Sequence, residues 1–311
     1  MPEIDLITGF LGAGKTTFIA RYAEWLNRQN IRFAVIENEF GAAGVDSMLL
    51  SEQFGNVHEL AGGCICCTLK SGFFHLLEQL LPHCDRVLVE PSGLYNLDDF
   101  FEVADGIAHN GLGQIGMCLT LVDPHTLPVM TETECSVLRD ELEGTGGVVW
   151  TKTDEEPCCD LAEAQAFLER MGNRGEDMPL RVYETPSHAL CDEDFIRLQQ
   201  MKPVRRRHQR VLRDHRMMYQ STSLRPQGMF DPDGLLHLLE HIIDTGECGE
   251  IVRVKGFVNG SSGSLAVNCT VSDRFIQECS ERLPMLNIIG HQLDRAKIKR
   301  LLEALGSQKH I

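Results

Sequence analysis

Residues 9–16 read Gly-Phe-Leu-Gly-Ala-Gly-Lys-Thr, the spacing of a phosphate-binding loop. Gly9 and Gly14 allow a tight turn and a close approach of backbone to phosphate. The N–H groups of Gly12, Ala13, Gly14, Lys15, Thr16 and Thr17 can then cradle phosphate oxygens at a helix N-terminus. Lys15 adds a point charge for the β and γ phosphates, and the Thr16 hydroxyl can ligate Mg²⁺. The bland alternative is a chance match in a glycine-containing turn. Against it stands the context: the apolar run Ile4–Ile7 precedes the loop and the helix-like run Thr17–Asn27 follows it. Strand, loop and helix in that order are what the motif requires.

Two further motifs follow apolar strands. In Val87-Leu88-Val89-Glu90-Pro91-Ser92-Gly93, the strand delivers one carboxylate and then a glycine. Glu90 is placed to hold Mg²⁺ directly or through water, an ion that takes few protein carboxylates. The Gly93 N–H could sense a γ-phosphate. The alternative for Glu90 is a solvated acid at a strand end. Asp123, before Pro124, is ambiguous. Trp150-Thr151-Lys152-Thr153-Asp154 occupies the place where GTP-binding proteins use Asn-Lys-x-Asp. Asp154 can accept from the guanine N1–H and amine, which adenine cannot match, while the Lys152 stem packs along the base. Unpaired buried polar groups would then reject the wrong base. Thr151 stands where asparagine is usual, and an ordinary surface turn is the competing reading.

Gly62-Gly63-Cys64-Ile65-Cys66-Cys67 places three cysteines within four residues. Soft thiolates favour Zn²⁺ or Cu⁺ over Mg²⁺, so Zn²⁺ or another transition metal is expected. Three local ligands leave a tetrahedral ion one position short, which suits transfer of the metal. Glu37 and Glu39, ending the second strand, and His58 and Glu59 are nearby in sequence and could complete it. Packed thiols are the alternative. Glycines at 41, 44 and 55 predict a mobile Phe40–Leu60 segment that links nucleotide state to the thiols.

The chain has 311 residues and twelve cysteines, and its formal charge is −16. Such a charge argues against broad nucleic-acid binding. No apolar run is long enough for a membrane span, and a strand begins almost at once, leaving no room for a secretory signal. A cytoplasmic location is the expectation, and disulfides are then improbable. Cys84, Cys118, Cys135, Cys191, Cys248, Cys269 and Cys279 read as small packing residues. Cys158 and Cys159 form a weak adjacent pair. His237 and His241 share a helix face that reads as an amphipathic border.

Strands are predicted at Ile4–Thr8, Arg32–Glu37, Arg86–Glu90, Gly116–Val122 and Gly147–Thr151, with a further one at Leu180–Glu184. Helices are predicted at 15–28, 69–82, 97–108, 132–143 and 160–171. The alternation predicts an α/β fold: a mostly parallel sheet flanked by helices, with ligands at the strands' carboxyl ends. Residues 1–200 are expected to form this domain. An Arg-rich stretch at 201–217 reads as a linker, and 218–311 as a small α+β domain. That domain is predicted to hold strands at Tyr219–Leu224, Ile251–Asn259, Leu265–Val271 and 286–290, with helices at Leu235–Ile243, near 274–282 and at 294–304.

With these motifs in order, the chain resembles the CobW family of metal-handling P-loop GTPases. The likeness is carried by Gly9–Thr17, Glu37-Asn38-Glu39-Phe40-Gly41, Cys64-Ile65-Cys66-Cys67, Glu90-Pro91-Ser92-Gly93-Leu94 and Thr151–Asp154. Phe230-Asp231-Pro232, Arg253–Val258, Ile289-Gly290 and Leu293-Asp294 extend it into the second half. The resemblance implies a relative of the nickel-insertion GTPases for hydrogenase and urease. It also implies slow hydrolysis of GTP to GDP, delivery of Zn²⁺, Co²⁺ or another metal to a client metalloprotein, and nucleotide-linked homo-oligomerisation. Ala42 stands where many relatives carry an acid, leaving Glu37 or Glu39 as substitutes. The pre-C-terminal tract is Arg-rich, with only His208 and His215. The expectation is therefore a GTP-hydrolysing metallochaperone in which Lys15, Thr16 and Glu90 serve phosphoryl transfer to water and Cys64, Cys66 and Cys67 hold the metal. The rivals are a P-loop small-molecule kinase and a non-enzymatic metal buffer.

Overall fold

The computed structural model describes residues 1–37, 54–59, 69–91, 97–156, 159–172, 179–204, 220–270, 274–279 and 282–307. The chain divides into two compact units, one of Met1–Asn38 with Leu49–Arg213 and one of Glu39–Met48 with Asp214–Ile311.

The first unit is built on strands β1 (Glu3–Thr8), β2 (Phe33–Glu37), β3 (Val57–Glu59), β4 (Arg86–Glu90), β5 (Gln114–Val122) and β6 (Gly147–Trp150). They form one sheet in the order β3-β2-β4-β1-β5-β6, with each neighbouring pair parallel. The inner strands β2, β4, β1 and β5 are buried along almost their whole length, which is why they read as apolar runs. The helices here are α1 (Lys15–Arg28), α2 (Leu69–Leu80), α3 (Leu97–His109), α4 (Glu132–Gly144), α5 (Leu161–Met171) and α6 (Asp192–Leu198).

Two cores lie on opposite faces of the sheet. On one face Phe18, Tyr22 and Trp25 of α1 pack with Phe195 and Leu198 of α6 against Ile7, Val35, Leu88 and Leu119. Tyr22 stacks on Trp25 at 5.9 Å and on Phe195 at 5.6 Å between ring centroids. Such pairs add about 0.5–1.5 kcal/mol each beyond the area they bury. On the other face Phe73 and Leu77 of α2 and Phe100 and Ile107 of α3 cover Ile4, Leu6, Ile36 and Val87. The chain therefore leaves β1 for one face and β4 for the other. These strands are neighbours, so a crevice opens between their carboxyl ends, as parallel sheets of this kind require.

A buried ion pair ties β1 to β4. Asp5 is fully buried and takes the Arg86 guanidinium in two bonds, at 2.6 and 2.7 Å. The Met117 amide at 2.8 Å and the Tyr22 hydroxyl at 3.1 Å complete its partners.

The second unit holds an antiparallel sheet of five strands, β7 (Gln220–Leu224), β8 (Glu250–Asn259), β9 (Ser264–Thr270), β10 (Arg274–Cys279) and β11 (Met285–His291), in the order β10-β9-β8-β11-β7. Helices α7 (Pro232–Thr245) and α8 (Arg295–Gly306) supply Leu235, Leu239, Ile242, Ile298 and Leu302 to its core. The Phe230-Asp231-Pro232 run has a mechanical basis. Phe230 is buried, the Asp231 side chain caps α7 through the Gly234 amide at 2.9 Å, and Pro232 takes the first helical position.

Four expectations are corrected. The helix near 274–282 is strand β10, paired in register with β9 from Arg274–Cys269 to Cys279–Ser264. Its Arg, Gln and Glu favour a helix, but cross-strand pairing and the packing of the half-buried Ile276 and Cys279 override that preference. Leu180–Glu184 is not a strand; it makes a single bridge between Val182 and Val148. Val57–Glu59, inside the run expected to be mobile, is a strand at the edge of the sheet. Cys191, expected to be packed, is exposed, and its thiol donates to Glu193 at 3.1 Å. No helix among the described residues is long and apolar enough to cross a membrane.

Candidate phosphate and metal site

The loop Gly9–Gly14 joins β1 to α1 at the crevice. Gly9 (φ +142°) and Gly14 (φ +77°) adopt backbone conformations that side chains disfavour. A Cβ on Gly9 would also lie 2.5 Å from the Leu121 carbonyl oxygen. Gly14 is the residue before α1, which has neither a capping side chain nor an acid in its first turn. By contrast, α4 carries a full Thr131–Glu134 capping box, and Asp160 caps α5. The first N–H groups of α1 are thus not taken by a cap, and no carboxylate in that turn repels an anion.

Lys15 is buried, and its ammonium donates to the Gly9 carbonyl at 2.9 Å and the Phe10 carbonyl at 3.2 Å. The charge is folded onto the loop it would serve. Thr16 donates its hydroxyl to the Glu90 carboxylate, at 3.2 and 3.3 Å from the two oxygens. Glu90 is buried at the end of β4. Glu37 ends β2 beside it, and backbone register aligns Glu59, Glu37 and Glu90 across β3, β2 and β4. The Thr16 hydroxyl and the Glu90 carboxylate are a hard-oxygen pair of the kind that fits Mg²⁺.

The Thr151–Asp154 turn lies at the end of β6. Thr151 is buried, and its methyl group would lie 3.7 Å from a Cβ on Gly14. Lys152 has φ +53°, uncommon for a residue with a side chain. Its ammonium is 3.5 Å from the buried Asp123, which also accepts from the His125 amide and faces the His125 ring, both at 2.9 Å. Asp123, ambiguous in the sequence, is thus a partner of Lys152. Asp154 is exposed and pairs with His188 at 3.2 Å. His188 sits in a short 3₁₀ turn, Ser187–Ala189. Arg21 of α1 donates to the Ser187 carbonyl and, at 3.1 Å, to that of Leu190.

The structure therefore gathers Gly9, Gly12, Ala13, Gly14, Lys15, Thr16, Glu90, Glu37 and Thr151 around one end of the sheet. Glu39, Cys64, Cys66, Cys67 and Gly93 lie outside the described residues. Among the described residues no three metal-ligating side chains cluster. The sequence reading missed His188, Arg21 and Glu141. Glu141 accepts from the Gly9 amide at 3.3 Å. A glutamate within an amphipathic helix carries no mark in sequence of such a contact.

A parallel sheet with this glycine-rich turn at its crevice, and a lysine and a threonine opening the next helix, defines a P-loop nucleotide-binding α/β protein. The chain belongs to the CobW/HypB/UreG nucleotide-binding domain family, whose model matches residues 3–179. The model described as the cobalamin synthesis protein CobW C-terminal domain matches residues 219–306. The chain is 33% identical over 158 residues to the zinc chaperone YeiR of Escherichia coli K12, covering 50% of this chain and 47% of that protein. It is 41% identical over 103 residues to the zinc chaperone CobW of Pseudomonas aeruginosa, covering 29% and 27%. The chain thus spans less than half the length of these curated relatives. A structural likeness to the Zn(II)-bound YjiA GTPase of E. coli covers 98% of this chain and 99% of that one, at 18% identity and a TM-score of 0.38.

Proposed function

We propose that this chain is a GTP-hydrolysing metallochaperone that loads a transition metal, Zn²⁺ or Co²⁺, and passes it to a client protein. The observation that carries the reading is the loop itself: Lys15 lies on Gly9 and Phe10, and Thr16 meets Glu90 at the mouth of the crevice. Family membership and the zinc chaperones among its relatives support it.

In this reading the amides of Gly12–Thr17 hold the β and γ phosphates, and Lys15 turns from the loop carbonyls to neutralise them. Thr16 and Glu90 would hold Mg²⁺, which would supply positive charge beside the phosphates. Catalysis is then positioning and electrostatics. Asp154 reads the guanine edge while Lys152, braced by Asp123, lies along the base. Gly93 senses the γ-phosphate. The metal is cargo held by Cys64, Cys66 and Cys67, with Glu37 or Glu39 as an oxygen donor. Residues 1–200 act as the nucleotide unit and 218–311 as the second domain, joined by 201–217. Nucleotide-dependent pairing of copies and a cytoplasmic setting complete the proposal.

The test is a titration of the full chain with Zn²⁺, Co²⁺ and Ni²⁺, with GDP or a non-hydrolysable GTP analogue bound. Metal affinity is expected to differ between the two nucleotides, and Cys66→Ala to weaken metal binding while sparing nucleotide affinity. Equal metal affinity in both states removes the coupling. ATP preference with a phosphorylated small molecule would indicate a kinase, and absence of phosphate release with metal and client present a buffer.

A further inference from the structure

Gly9 is gripped from both ends. Its carbonyl accepts from Lys15 at 2.9 Å, and its amide donates to Glu141 Oε1 at 3.3 Å. Glu141 belongs to α4 and is 2% exposed. Its Oε2 is buried and has no hydrogen-bond partner among the described residues. The neighbouring helix residues Leu138 and Leu142 are buried and apolar.

A carboxylate there is short of partners, and burial alone disfavours its charge. Two charged groups act on it: Lys15 from α1, which favours the ionised form, and Asp140 from α4 itself, which opposes it. The Gly9 amide also favours the anion. Burial outweighs both favourable effects, and the Glu141 carboxyl is pushed up to about 7.

We propose that Glu141 is a positioning residue that links nucleotide binding to proton uptake: it holds the Gly9 amide from beneath the loop and takes up a proton when phosphates enter the cradle. The proposal rests on nucleotide binding at the loop, and on neither guanine recognition nor the thiolate site. In the free protein the Lys15 charge faces the loop and offsets part of the cost of the anion. A bound triphosphate shares that charge and brings negative oxygens to the same loop. Both changes disfavour a second anion behind it. The neutral acid relieves the repulsion and still leaves a carbonyl oxygen for the Gly9 amide.

The sign follows from linkage. If the bound form holds the proton more tightly, affinity is level below pH 7 and falls as pH rises above it, by up to about tenfold per unit. Calorimetry of the full chain with Mg²⁺ and a non-hydrolysable GTP analogue, at pH 7.5 in buffers of differing ionisation enthalpy, reads the protons taken up. The unsubstituted chain is expected to take up a fraction of a proton more than Glu141→Gln, whose affinity loses the extra pH dependence. Glu141→Gln keeps an acceptor for Gly9 and should bind within about threefold of the original at pH 7, while Glu141→Leu binds about tenfold or more weakly. Should a variant fail to fold, infrared difference spectra of the unsubstituted chain serve: analogue binding should increase the protonated-carboxyl band. Analogue binding with equal proton uptake in chain and variant, or with no such band, overturns this proposal and leaves the nucleotide reading intact. No binding of the analogue at all overturns both.

Discussion

The Thr16 hydroxyl lies 3.2 Å from a carboxylate oxygen of Glu90, joining the first turn of α1 to the end of β4. Thr16 belongs to the helix that follows β1 and Glu90 to the last position of β4, and the chain leaves these two strands for opposite faces of the sheet. Their meeting places a hydroxyl and an anion at the mouth of the crevice, where the phosphates of a nucleotide would need a divalent ion. Replacing Glu90 by Gln keeps the acceptor and removes the charge. Mg²⁺-dependent GTP hydrolysis is expected to fall on the order of 10²-fold, as for loss of one electrostatic contact to a transition state. Thr16→Ala should act in the same direction. Phosphate release at saturating Mg²⁺ measures both, and unchanged rates would remove the pair from the reaction.

Gly9 sits where a side chain has no room. Gly9→Ala must force φ +142° on alanine and press its Cβ against the Leu121 carbonyl. A loss of about 1–3 kcal/mol in stability is expected, with weaker nucleotide binding. Denaturant unfolding at fixed pH measures the first, and an unchanged midpoint contradicts the assigned geometry.

In the proposed reading, Asp154 accepts from the guanine N1–H and amine. Asp154→Asn presents a donor in part of that space, so GTP affinity should fall about 10²-fold or more while xanthosine triphosphate gains. Competition between the two nucleotides on the variant reads the switch. If the order of preference stays as in the parent chain, the turn does not read the base.

The Asp5–Arg86 pair is buried, with four hydrogen bonds to Asp5 from Arg86, Met117 and Tyr22 and a further contact from Arg86 to Glu3 at 2.7 Å. Arg86→Leu leaves an uncompensated anion, at a cost of about 3–5 kcal/mol. The change should lower thermal stability without abolishing the loop's chemistry in whatever fraction remains folded. A variant as stable as the parent would mean that the pair is not desolvated as found.

Glu141 also predicts how stability varies with pH. Burial pushes its carboxyl up to about 7 from an ordinary 4.5, so the folded state binds the extra proton. The stability it contributes is whole below pH 4.5 and is lost as pH rises through 7, up to about 3 kcal/mol in all. Unfolding free energies of Glu141→Gln should therefore vary less between pH 5 and 8 than those of the parent chain. Parallel profiles would contradict the burial of an ionisable group there.

The alternation of buried strands and amphipathic helices was legible because a parallel sheet needs apolar runs that few other structures use. The loop was legible because Gly9, Gly14, Lys15 and Thr16 must sit at fixed spacing to wrap a phosphate. By contrast, Arg274–Cys279 has helix-forming residues and misleads, since only the pairing with β9 shows that a strand is favoured. The short edge strand Val57–Glu59 has too few residues for a periodic signal.

By itself the sequence determined the phosphate loop, the carboxylate at the end of β4, the Thr151–Asp154 turn and the spacing of the three cysteines, because each depends on residues close together in the chain. Tertiary structure alone decided which distant groups touch them. Glu141 reaches Gly9 across 132 positions, Arg21 holds a carbonyl 166 positions away, and Asp123 braces Lys152 from just past the end of the neighbouring strand β5. The reason is physical: local spacing constrains backbone geometry, whereas contacts between remote segments follow from strand order and from which helix face each strand buries.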